Sequence, residues 1–140
     1  MKKALKILAA AVSMSLAVLT PASAAPEEET VSNAYLHLDG AMDEWAAAPA
    51  LRLPSSYHGG HLDSWNNSVI YDDALVIIAY ANRKDNADSL ERAKNMGDAF
   101  LQMQAKDPIG DGRVRNSYGP ENLFDADGVP NILSTGTAAG

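Results

Sequence analysis

The stretch Ser68–Asn82, SVIYDDALVIIAYAN, decides the fold. Ile70, Ala74, Ile77, Ile78 and Ala81 fall at i, i+4, i+7, i+8 and i+11, the spacing of one helical face. Ser68 or Asn67 suits the N-cap, and Asp72 and Asp73 place negative charge in the first turn, at the positive end of the helix dipole. Val69, Leu75, Val76 and Tyr80 extend the apolar surface round most of the helix, so it needs neighbours on several sides. One partner helix cannot cover such a surface, and a chain that offers only one is expected to be marginally stable.

The partner follows at once. Asn82–Asn86 (NRKDN) is a polar turn, and a second helix runs from about Ala87 to Ala105, capped by Asp85 or Asn86. Leu90, Ala93, Met96 or Gly97, Phe100, Leu101 and Met103 or Gln104 trace its apolar stripe, while Glu91, Arg92, Lys94, Asn95 and Asp98 make the wet face. A linker this short implies an antiparallel αα-hairpin. Lys106-Asp107-Pro108 stops the second helix, because proline lacks the amide hydrogen and restricts the residue before it.

Outside the hairpin the sequence reads more weakly. Residues 25–60 read as a flexible acidic leader (Ala25–Asn33) followed by an extended N-terminal segment. That segment includes Tyr35–Leu38, one or two helical turns within Met42–Ala50, and Leu51–Pro54. Ser55–Asn67 reads as loop. Residues 61–140 form the domain proper. Its second half, Asp107–Gly128, is a long Gly/Pro/Asn/Asp-rich loop with room for a small β-hairpin at Arg113–Ser117. The fold class is mainly α, an αα-hairpin with long loops.

The first 24 residues read as a secretory signal peptide. Lys2, Lys3 and Lys6 precede an apolar run from Leu8 to Leu19, which is too short for a typical membrane span, and Ala22-Ser23-Ala24 supplies the cleavage site. The expected location is extracytoplasmic, periplasmic or secreted, with no membrane attachment after cleavage. The full chain of 140 residues carries 11 basic and 18 acidic side chains, a net charge of −7. Removing the signal and its three lysines leaves 116 residues and a more acidic product. Such a surface repels nucleic acid and anionic lipid and is compatible with neutral sugars. Without cysteine there is no disulfide, thiolate zinc site or thiol nucleophile.

Several segments together resemble the six-hairpin glycosidase-like superfamily, the (α/α)6 toroids of secreted bacterial proteins. They are Ser64-Trp65-Asn66-Asn67-Ser68 leading into Tyr71-Asp72-Asp73-Ala74-Leu75, the second helix ending Phe100-Leu101-Gln102-Met103-Gln104, and Gly110-Asp111-Gly112-Arg113-Val114-Arg115-Asn116-Ser117-Tyr118. The resemblance covers about Ser55 to Gly140. It implies the N-terminal portion of a glycoside hydrolase-like domain, an incomplete toroid, because six hairpins of about 50 residues need roughly 300. Asp73 stands where Asn or Gln is more usual, which calls any amide-specific hydrogen bond there into question.

The resemblance implies a carbohydrate partner, and no cofactor or metal. Its substrate-binding candidates are Trp65, Tyr71, Asp72, Arg113, Arg115, Asn116 and Tyr118, with Asp72 and Asp111 as weak candidates for catalytic carboxylates. Each also has a structural reading. Asp72 complements the helix dipole, Tyr71 is a rim aromatic, Trp65 covers the loop–helix junction, Asp111-Gly112 makes a turn, and the arginines pair with surplus carboxylates. Asp73 reads as a helix-start residue. Glycosidases use two carboxylates about 5 Å apart for retention or about 6.5–9.5 Å apart for inversion, and sequence spacing does not say which of these converge.

His58, His61 and Asp63 have a metal-like spacing, but in a flexible loop without a rigid scaffold. Asp125-Ala126-Asp127-Gly128 resembles part of a calcium loop yet lacks the first ligand and the closing Glu, so an EF-hand is rejected, and a looser calcium site stays open. The competing function is a non-catalytic exported helical module that binds glycan or a protein partner. A tetratricopeptide-type repeat is rejected, because there is one hairpin and no repeat signature. Whether the chain is an enzyme, and its oligomeric state, stay open at this level.

Overall fold

The computed structural model describes residues 26–45, 51–57 and 65–137. The signal-peptide segment and the His58, His61 and Asp63 motif lie outside the described residues. Six elements follow in order: α1 (Pro26–Asp43), β1 (Ser68–Val69), α2 (Ile70–Asn82), α3 (Ala87–Lys106), β2 (Arg115–Tyr118) and β3 (Ile132–Thr137). The described part is mainly helical, with a small antiparallel sheet in the order β1-β2-β3. No helix among the described residues is long and apolar enough to cross a membrane.

The hairpin α2–α3 forms where the periodicity places it. Asn86 caps α3: its side-chain oxygen accepts from the Ser89 amide at 2.8 Å. Replacing Asn86 with Ala is expected to cost about 1 kcal/mol, the usual size of a lost N-cap, measured by urea unfolding. The start of α2 differs from expectation. The N-cap position is Val69, with no side-chain cap. Ser68 lies in β1, and its hydroxyl donates to buried Asp73 instead.

The acidic leader is a correction. Pro26–Asp43 is helical, with Glu27, Glu28 and Glu29 in its first turn, where the helix dipole favours them. Tyr35, Leu38 and Met42, three and four residues apart, form its inner line, and Met42 is fully buried. Tyr35–Leu38 is too short to separate a period of two from one of 3.6, and the segment is helical, not extended. Charge fixes α1 in place. The Arg92 guanidinium grips both oxygens of Asp43 at 2.8 and 2.9 Å and reaches Asp39 at 3.4 Å. The Tyr35 hydroxyl donates to the Ala79 carbonyl of α2 at 2.8 Å.

The small β-hairpin expected at Arg113–Ser117 is also corrected. Residues 115–118 form β2, the middle strand between β1 and β3. Ser68 pairs with Tyr118 and Val69 with Ser117, so the sheet closes across about 50 residues of sequence. Gly110 and Gly112, both at positive φ, let the loop after α3 turn back into this strand. The core sits where α1, the hairpin and the sheet meet, around Tyr80, Met96, Met103 and Tyr118.

Candidate functional site

The glycine-rich loop is tied down from within by charged hydrogen bonds, although Arg115 Nε itself is buried without a partner. Arg115 is 2 % exposed. Its guanidinium forks onto Asp111, with contacts of 3.2 and 2.7 Å, and also donates to the buried carboxylate of Asp107. The Arg115 amide donates to the Tyr118 hydroxyl at 2.8 Å, and Tyr118 is fully buried. Asp111 also accepts from the Arg113 amide at 3.1 Å. Arg115 holds the Asp111 carboxyl below its ordinary range, so Asp111 is ionised at neutral pH and has no proton to give. The hydrogen bonds to Asp107 and Asp111 raise the pKa of Arg115 still further.

Arg115 and Tyr118, expected to face sugar, are thus taken up inside the protein. They hold the loop after α3 onto the strand β2. Arg113 is exposed and Asn116 half-buried, so these two remain on the surface.

Two other candidates lie in sequence on either side of β1, ahead of α2 and in its first turn. Trp65 is 56 % exposed and Tyr71 is 67 % exposed, with β1 between them in sequence. The Trp65 ring stands nearly perpendicular to Tyr57, with centroids 5.8 Å apart and an interplanar angle of 85°. That edge-to-face contact orients the indole while leaving much of it open to solvent. Backbone and side-chain bonds tie the Tyr57 segment to β1: the Ser56 amide donates to the Asn67 carbonyl, and Ser56 Oγ accepts from the Val69 amide, both at 2.8 Å. Asn66 reaches Glu121 at 3.4 Å across the turn after β2. Asp72 is half-buried beside Tyr71. Tyr57 escaped the sequence reading, and its one signal is an aromatic residue within a Ser/Gly-rich loop.

Asp73 is fully buried. Ser68 Oγ donates to its Oδ2 at 2.7 Å, while Oδ1 has no hydrogen-bond partner. Burial pushes its pKa up to about 8 against the opposing Ser68 bond. A carboxyl protonated at neutral pH is the kind of group that donates protons in catalysis, but Asp73 points into the core and not to a surface a substrate can reach. Its place is structural, at the junction of β1 and α2.

The Asp125 carboxylate accepts from the Asp127 amide at 2.9 Å and the Val129 amide at 2.8 Å, which makes it part of a tight turn closed by Gly128 at positive φ. Among the described residues, no group of three or more His, Asp or Glu side chains is arranged to hold a metal ion. No protein-family model, curated protein or solved structure matches the chain.

Proposed function

We propose that the chain is an exported carbohydrate-binding protein, built on the N-terminal portion of a six-hairpin glycosidase-like toroid, and that it holds polysaccharide at the N-terminal end of α2. The observation that carries this reading is the open Trp65 ring, set edge-on to Tyr57 at the same end as exposed Tyr71. Flat CH-rich sugar faces stack on such indoles, and the neighbouring Asn66, Asp72 and Glu121 supply polar groups for hydroxyls. The acidic chain suits neutral glycans.

Binding without cleavage is favoured by one specific observation. Of the two weak catalytic candidates, Asp111 is locked in its fork with Arg115 and only Asp72 stands at the aromatic end. The proposed toroidal architecture rests on the order of motifs around the hairpin.

The test is co-sedimentation with insoluble cellulose, xylan, mannan and chitin. Trp65→Ala is expected to weaken retention on the bound polysaccharide about tenfold, the effect of losing one stacking contact, with an unchanged melting temperature. Arg113→Ala is expected to leave retention as it is. Equal retention of Trp65→Ala and the parent chain would sink the reading.

A further inference from the structure

The outer face of the hairpin is apolar and open. Tyr71, Leu75 and Ile78, at i, i+4 and i+7 on α2, are 67, 50 and 56 % exposed, and Leu90 and Leu101 on α3 are 43 and 64 % exposed. At about 100° per residue these lines lie roughly opposite the sides that meet the rest of the protein. On α2 that inner side carries Tyr80, whose ring is 6.4 Å from Tyr35 of α1. On α3 it carries Arg92, bound to Asp43, and Asn95, which accepts from the Arg52 amide. Both open stripes therefore face the same way, on the side of the hairpin away from α1.

We propose that this face pairs with the same face of a second copy of the chain about a two-fold axis. The stripes are self-complementary about a single point. With α3 antiparallel to its copy and the axis crossing the outer face at the level of residues 95 and 96 along the helix, Leu90 meets Leu101 of the second copy. The same axis sets Lys94 opposite Asp98 of the second copy. These are two independent matches, one apolar and one of opposite charge, centred within half a residue of each other. Within one chain Lys94 and Asp98 already pair along the exposed helix, so the exchange conserves charge balance. Gly97 lies on this side with open space where a side chain would stand, so the two helices can approach closely at the centre. The exposed α2 line carries no charge to bury.

The five side chains bury on the order of 1,000 Å² in total over both copies, the lower edge of specific association, so the dimer is weak, in the micromolar range. The inference shares Tyr71 with the proposed glycan-binding end and rests on no other residue of it.

Sedimentation velocity on the exported chain, over about 1 μM to about 1 mM, reads the association directly. A concentration-dependent dimer is expected. Leu101→Glu is expected to raise the dissociation constant at least tenfold, and Val31→Glu, on exposed α1, to leave it unchanged. Lys94→Glu is expected to weaken the dimer, and the exchanged pair Lys94→Glu with Asp98→Lys to restore it. All four positions are on the surface, and matched melting temperatures verify folding. A monomer throughout overturns the proposal and leaves the face to another protein or to a further helical segment. A dimer insensitive to Leu101→Glu, or one that the exchanged pair does not restore, also overturns it.

Discussion

Substituting Arg115 with methionine is expected to give the largest stability loss of any single change at the loop–strand junction, a fall in melting temperature of about 10 °C or more. The cause is the carboxylate left behind. Asp107 has a fully buried side chain whose charge is met by the Arg115 guanidinium, and methionine fills the space without meeting the charge. Asp111, at the exposed rim, keeps its access to water, so Asp111→Asn is expected to cost far less. Adding Asp107→Asn to the Arg115→Met chain is expected to recover most of the loss, because the buried charge then goes as well. Thermal unfolding followed by circular dichroism checks the cycle. Additive losses in the double variant would show that Arg115 and Asp107 act separately.

The second large effect is a pH dependence of unusual sign. Most carboxylates in folded proteins stabilise as they ionise. Asp43, held low mainly by its hydrogen bond to Arg92, is of that kind, and its contribution is lost only as pH falls below the ordinary range. Asp73 is the reverse: its ordinary value is 3.8, and in the folded chain it is pushed up to about 8. Between these values the folded state binds more protons than the unfolded state. Stability is therefore highest near pH 4 as far as Asp73 is concerned, and declines as pH rises towards 8, by up to about 1.4 kcal/mol per pH unit. Above pH 8 the decline stops.

Asp73→Asn removes this slope, because an amide keeps the Ser68 hydrogen bond and never ionises. The variant is expected to match the parent near pH 4 and to exceed it by a few kcal/mol near pH 8. Urea unfolding at pH 4.5, 6 and 7.5 measures the difference. Parallel curves for the two chains at all three values would show that Asp73 does not titrate as its burial requires.

These two effects mark where the sequence is legible and where it is not. The hairpin could be read because its information is local: Ile70 to Ala81 repeat at helical spacing, and Asn86 caps the helix that follows it by three residues. Helix α1 was hidden because its inner line, Tyr35, Leu38 and Met42, is sparse among acids and polar residues. It is held by partners far along the chain, above all Arg92. The sheet was hidden for a similar reason. Strand β1 has two residues, too few for alternation to show, and its partner lies about 50 residues away.

The site divides the same way. Trp65 and Tyr71 announce themselves as aromatic residues in polar surroundings, and both are open. Arg115 and Tyr118 carry the same residue types that bind sugars, and nothing local says that Asp107, on the far side of a proline turn, claims the arginine. Asp73 sits one position from Asp72 and differs from it only in the face it takes. One turns towards solvent and the other into the core, a distinction that depends on where β1 docks.

Carbohydrate is proposed to meet the aromatic end of α2, and not the Asp111–Tyr118 loop. The most direct measurement is the fluorescence of Trp65 in a Trp45→Phe chain, where it is the remaining indole, titrated with soluble oligosaccharides of cellulose, xylan, mannan and chitin. A saturable change in Trp65 emission is expected with at least one of them, with an affinity unaffected by Arg113→Ala, and calorimetry on Trp65→Ala is expected to show about tenfold weaker binding. Binding that leaves Trp65 emission unchanged, and is lost with Arg113→Ala or Asn116→Ala, would contradict the proposal.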